Sequence, residues 1–129
     1  MFTTKKILII DDSSFQRKIV SSILQEAGYT LLVADNGKDG ITLAEKEKPD
    51  LIISDLLMPE YDGFYLLEQA HTSKAGHKIL IVTSDIQHST RDKCIKLGAV
   101  GLINKPVKKE ILLSAVEKVL SGERLYHGS

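Results

Sequence analysis

The chain lacks a surplus of either charge: 17 lysines and arginines stand against 17 aspartates and glutamates, for a formal net charge of zero. A surface with no prevailing sign has no general attraction for nucleic-acid phosphates or anionic lipid, so direct DNA binding is not expected. Cysteine is almost absent. The single Cys94 can form no internal disulfide, which points to a reducing compartment, and it reads as a buried, inert thiol. Long hydrophobic runs are missing too. The apolar stretch behind Lys5 and Lys6 covers only residues 7–10 and ends in two aspartates, which excludes a secretory signal. Nothing approaches the ~20 apolar residues that a membrane-spanning helix requires. A soluble, cytoplasmic protein is therefore expected. There is no low-complexity segment, internal repeat or linker to a second domain. What remains is 129 residues that are 43% hydrophobic and 26% charged, the make-up of one ordinary globular domain. That domain is expected over residues 1–122, with 123–129 a short polar tail.

Four short runs rich in β-branched and aliphatic residues stand out, at 6–10, 30–34, 51–54 and 78–83, with a weaker fifth at 100–104. They show no polar alternation, as expected of strands covered on both faces. Helical spacing fills the gaps. Phe15, Ile19, Val20, Ile23, Leu24 and Ala27 form one stripe, as do Val107, Ile111, Leu112, Ala115, Val116 and Val119. Shorter amphipathic stretches lie near 38–47, 63–72 and 89–97. Gly28 follows the first helix, Pro49 precedes the third strand and Gly98 ends the fourth helix. Strand followed by helix, five times over, predicts a doubly wound α/β domain: a parallel five-stranded sheet with five helices on its two faces.

In such a sheet, ligands collect beyond the carboxyl ends of the strands. The first run ends in Asp11-Asp12, the third in Asp55, the fourth in Thr83-Ser84 and the fifth in Lys105-Pro106. The second ends in Asp35-Asn36-Gly37, which is more simply a turn and helix cap. Adjacent aspartates after a strand are often no more than that. A further carboxylate at a buried strand end, however, has no good structural explanation. Crowded carboxylates repel unless a cation sits among them, and oxygen-only ligands suit magnesium, with manganese as its substitute. A lysine can counter the charge of a phosphoryl group and a threonine hydroxyl can hydrogen-bond to it. Carboxylate nucleophile, metal, lysine and hydroxyl make a phosphoryl-transfer site that needs no histidine base. The histidines, His71, His77, His88 and His127, show no ligand spacing and read as surface residues, so no zinc site is expected. Met58-Pro59 reads as a packed methionine and a rigid turn, and Gly63 as the entry to the third helix.

The segments Ile-Leu-Ile-Ile-Asp11-Asp12-Ser, Asp50-Leu-Ile-Ile-Ser-Asp55-Leu-Leu-Met-Pro59, Ile-Val-Thr83-Ser84 and Lys105-Pro106 resemble the receiver domain of two-component response regulators. They span nearly the whole chain, and their order and spacing are specific in combination. The resemblance implies a flavodoxin-like sheet in the order 2-1-3-4-5. It also implies that Asp55 becomes an aspartyl phosphate, with a histidine kinase or phosphotransfer protein as donor and a downstream protein as target. Asp12 and Asp55 would bind magnesium directly, Asp11 through water, and the Leu57 carbonyl would complete the protein ligands. Lys105 would pair with the phosphoryl oxygens, Thr83 would swing toward them, and Pro106 would follow a cis peptide bond. The chain would be a phosphoacceptor that assists its own modification rather than an enzyme, either monomeric or weakly dimeric.

Two features individualise it. Leu102 stands where many receivers carry an aromatic switch residue, and Leu57 and Asp85 hold positions that in this family influence how water reaches the acyl phosphate. Leu57 could exclude that water and Asp85 could orient it. Competing readings are a piece of a larger regulator, an aspartyl-phosphate phosphatase, a degenerate receiver and a cofactor-binding flavodoxin-like module. The phosphatase pattern needs Asp-x-Asp after the first strand, which Asp11-Asp12-Ser13 does not supply. A degenerate receiver would lack Asp12, Asp55 or Lys105, and a cofactor binder would show a phosphate loop after the first strand.

Overall fold

A computed structural model describes residues 4–73 and 75–125. Strand and helix alternate throughout: β1 (Lys6–Ile10), α1 (Ser14–Glu26), β2 (Thr30–Ala34), α2 (Gly37–Glu47), β3 (Leu51–Asp55), α3 (Gly63–Ser73), β4 (Ile79–Thr83), α4 (His88–Lys96), β5 (Gly101–Asn104) and α5 (Lys109–Leu120). The strands pair in parallel in the order β2-β1-β3-β4-β5. The predicted doubly wound sheet is therefore present, with boundaries shifted by no more than two residues.

Side-chain alternation along the strands assigns the two cores. Ile7 and Ile9 of β1, Leu51 and Ile53 of β3, and Leu80 and Val82 of β4 pack with Val20 and Leu24 of α1 and Leu112 and Val116 of α5. The intervening Leu8, Ile10, Ile52, Ile79 and Ile81 face the other way, onto Ala44, Leu66, Leu67 and Cys94 of the remaining helices. β3 and β4 are buried along their whole lengths, whereas the edge strands β2 and β5 are interrupted by exposed positions. That explains why the central runs are continuously apolar and the fifth is weak. Gly28 and Gly98 take positive φ at the ends of α1 and α4, as their places after the helical stripes predict.

Cys94 is fully buried, and burial pushes its thiol up to about 11, consistent with an inert core residue. Met58 is buried as expected. His71 and His88 are exposed, and His127 lies outside the described residues. His77 corrects the sequence reading. Its side chain is only 5% exposed, with Nε2 3.6 Å from Glu45 Oε1, because its loop packs against α2. Among the described residues, no helix is long and apolar enough to cross a membrane.

Leu80, fully buried in the core between the sheet and helices α1 and α5, should be costly to truncate. Leu80→Ala is expected to lose ~2–5 kcal/mol in urea unfolding, through lost transfer energy and the cavity left behind. Ile86→Ala, at a side chain that is 77% exposed, should change stability by no more than ~0.5 kcal/mol.

Candidate functional site

The rim at the carboxyl ends of the strands is built by abrupt strand-to-helix turns. Ser13 caps α1 by accepting a hydrogen bond from the Gln16 backbone N–H at 3.2 Å, which ends the strand and starts the helix within a few residues. That turn holds Asp11 and Asp12 at the rim. Asp11 is buried; its Oδ1 accepts from the Ser13 N–H at 2.9 Å, and its carbonyl accepts from Arg17 Nη1 at 2.6 Å. Asp12 is exposed.

Asp55 ends β3 and is buried, with Lys105 Nζ 3.0 Å from its Oδ2. Asp11, Asp12 and Asp55 each offer one oxygen, and these oxygens lie within 4.8 Å of one another. The structure thus brings together the three predicted carboxylates and the predicted lysine. Burial raises the Asp11 carboxyl above the ordinary carboxylate range, the Ser13 N–H opposes that shift, and the Asp55 charge adds to it. Three carboxylates against one ammonium leave a deficit of positive charge. The donor set fits a hard divalent cation, being all oxygen and spaced to converge on one point. Asp11, Asp12 and Asp55 would hold it.

The loop after Asp55 is tightly fixed. The Leu56 N–H donates to the Val82 carbonyl at 3.0 Å, and the Gly63 N–H donates to the Leu56 carbonyl at 2.8 Å. A Cβ on Gly63 would lie 2.9 Å from Leu56 Cα and 3.0 Å from the Asp55 carbonyl oxygen, so glycine is required there by close approach. Gly37, at the start of α2, donates its N–H to the Tyr61 carbonyl at 2.7 Å, and the Ser54 hydroxyl donates to the Asp55 carbonyl at 2.9 Å. Sequence reasoning assigned no role to Arg17 or Ser54, read Gly37 only as part of a turn and helix cap, and treated Gly63 only as a helix entry. The Ser-x-x-Gln capping pattern at Ser13 was the one local signal in this set.

Thr83, at the end of β4, is buried, and its hydroxyl accepts from the Asp85 N–H at 3.0 Å. Asp85 then ties the loop to α4: Oδ1 accepts from the Gln87 N–H at 2.9 Å, and Oδ2 accepts from the Thr90 hydroxyl at 2.7 Å. The Thr90 hydroxyl and then the Gln87 N–H hold the Asp85 carboxyl below its ordinary range. Both of its oxygens are engaged, so in this arrangement Asp85 is a loop tie. Leu57 is 59% exposed, in the loop immediately beyond Asp55. Leu102 is partly buried in β5, beside a pocket of about 230 Å³ shared with Asp85 and Asn104. The peptide bond between Lys105 and Pro106 is cis, as the resemblance implies.

Residues 7–117 match the family model described as the response regulator receiver domain. The chain belongs to the response regulator receiver family. It is 36% identical over 121 residues to protein PilH of Pseudomonas aeruginosa, covering 91% of this chain and 98% of that one. Chemotaxis protein CheY of Halobacterium salinarum is 33% identical over 117 residues, again covering 91% and 98%. Among solved structures, a CheY-like receiver domain protein from Methanospirillum hungatei superposes with a TM-score of 0.86 at 30% identity, covering 92% and 95% of the two chains. The fold is thus the CheY-like, flavodoxin-type sheet, and the chain is a receiver of CheY and PilH type, consistent with a single-domain response regulator in two-component signalling.

The carboxylate crowding has a measurable cost. Because Asp11 is raised in the folded chain, its ionised form destabilises the fold above that raised value, and the penalty disappears once pH falls below the ordinary carboxylate range. Asp11→Asn keeps the acceptor for Ser13 and removes the charge. Without added divalent cations it should stabilise the protein at pH 7 and have little effect at strongly acid pH, read from urea midpoints. A loss of stability at pH 7 would contradict this account of the shift.

Proposed function

We propose that Asp55 is a phosphoryl acceptor and that its modification switches a protein partner. The observation that carries this reading is the contact between Lys105 Nζ and a buried, strand-end Asp55 carboxylate that shares its 4.8 Å cluster with two more carboxylates. One Asp55 oxygen attacks the phosphorus of a phosphohistidine; the new O–P bond forms as the P–N bond breaks, and the imidazole leaves. Lys105, already beside the nucleophile, pairs with the transferring oxygens as their charge develops. Asp12 and Asp55 would hold magnesium directly, Asp11 through water, and the Leu57 carbonyl would complete the protein ligands. When bound, the metal neutralises charge on the phosphoryl group.

The donor is a histidine kinase or a histidine phosphotransfer protein, the sources from which receivers take phosphoryl groups. Exposed apolar side chains beside the rim support a protein donor: Phe15 and Ile19 on α1, Leu57 after β3 and Ile86 after β4. Because the acceptor is itself the product, the chain works as a signalling switch and does not turn over substrate as an enzyme does.

Incubation with acetyl phosphate and magnesium should add one phosphoryl group by intact mass, labile at alkaline pH. The adduct should be absent in Asp55→Asn and lost when magnesium is chelated. An unchanged mass, under conditions that modify a control receiver, would overturn the acceptor reading. Undiminished labelling without metal would overturn the metal assignment.

A further inference from the structure

The chain does not stop at α5. After Leu120 the Gly122 N–H donates to the Val119 carbonyl and the Glu123 N–H to the Lys118 carbonyl, both at 3.0 Å, a helix ending that reverses the chain toward the sheet. Leu125 then lies parallel to β5 opposite Gly101, with its N–H donating to the Val100 carbonyl at 2.7 Å. The segment expected from sequence to be a polar tail therefore supplies a short strap along the outer edge of the sheet. Gly101 is fitted to it: a Cβ there would stand 2.8 Å from Leu125 Cβ. The Leu125 side chain forms the wall between two grooves, one shared with Asp85, Leu102 and Asn104, the other with Ile111 and Lys118 of α5.

This position joins the strap to the phosphoryl site. The Thr83 hydroxyl accepts from the Asp85 N–H, and Asp85 borders the same pocket of about 230 Å³ as Leu125. When the Thr83 hydroxyl turns to a phosphoryl oxygen, the Asp85 N–H loses its acceptor and the loop carrying it must resettle. Leu102 of β5 lines the same pocket, and it leaves the pocket without an inward-turning aromatic ring. Leu125 is held there by the edge pairing with Gly101, its hydrogen bond to Val100 and its apolar packing against the core.

We propose that the 123–125 strap is a detachable sixth strand that reports the state of Asp55. It is seated while Thr83 is bound to Asp85, and it leaves the β5 edge when Thr83 engages the phosphoryl group. The inference rests on the acceptor reading above and adds the element through which the change reaches the surface. Release frees the Val100 carbonyl and the Gly101 end of β5, lengthening the sheet edge that can pair.

Amide hydrogen exchange on the full chain tests this, with beryllofluoride and magnesium as the phosphoryl stand-in. The Leu125 amide should be protected in the unloaded protein and should lose protection about fivefold or more on loading, with no change in Asp55→Asn. Coupling between binding sites is reciprocal, so Leu125→Ser, outside the acceptor site, should tighten beryllofluoride binding by the same factor of about five or more. Gly101→Ala, which crowds the strap, should do likewise. A Leu125 amide that is unprotected from the start overturns the inference. So does a loaded protein whose Leu125 protection is unchanged, or an unaltered affinity in Leu125→Ser. Failure to take up either beryllofluoride or a phosphoryl group is a separate result: it overturns the acceptor reading, and the strap's role falls with it.

Discussion

Asp55 is 8% exposed at the end of a fully buried strand, and burial of a lone carboxylate there would be prohibitive. It is tolerated because Lys105 reaches it from the loop after β5, placing Nζ 3.0 Å from Oδ2. Breaking a buried ion pair by removing one partner typically costs ~3–5 kcal/mol, and the quarter exposure of Lys105 softens that figure here. The pair spans the sheet from β3 to the far side of β4. It therefore works only if the register of three strands is fixed, which the pairing of Asp55 with Val82 and of Thr83 with Asn104 provides. Fold and site are one constraint at this point: the sheet sets the distance, and the distance makes the buried charge affordable.

The same constraint explains why the surrounding backbone is so heavily bonded. The Ser54 hydroxyl secures Asp55's carbonyl and backbone hydrogen bonds secure the start of its loop, while Gly63 lets α3 approach more closely than any side chain would permit. On the proposed reading, a nucleophile held this firmly would need little reorganisation during transfer, so positioning could replace a general base. The excess negative charge beside Lys105 is the other half of that arrangement. It adds to the burial that already pushes Asp11 toward its protonated form, and it makes the rim receptive to a cation.

How much of this was legible in the sequence follows from the kind of physics involved. The central strands announced themselves because both faces are covered, which removes polar alternation from 51–54 and 78–83. Asp11, Asp12, Asp55, Thr83 and Lys105 were legible because a parallel sheet collects strand ends at one rim, and their residue types are odd for strand ends unless they share a ligand. The arrangements that escaped are those set by close approach between segments distant in sequence. Gly37 against Tyr61 leaves no local periodicity, and His77 looked like any polar loop residue until α2 was placed beside it. Leu125 escaped for the same reason, since a single apolar residue in a polar tail carries no period.

If Asp55 is the acceptor proposed above, a receiver that lacks an aromatic residue at position 102 would have to carry the change to its surface by another route. On that reading the route would begin at Thr83, whose hydroxyl accepts from the Asp85 N–H and would exchange it for a phosphoryl oxygen. Asp85 makes that choice consequential, because its carboxylate is committed to Gln87 and Thr90 and so joins the loop to the start of α4. Gln87 itself supplies no side-chain cap for that helix, so the Asp85 carboxylate is what organises its first turn. A hydrogen-bonded chain of this kind has discrete arrangements, which is what a switch needs and what a continuously deformable loop would not give. On the proposed acceptor reading, Leu102 would thus shift the route from packing of an aromatic side chain to exchange of one hydrogen bond at Thr83.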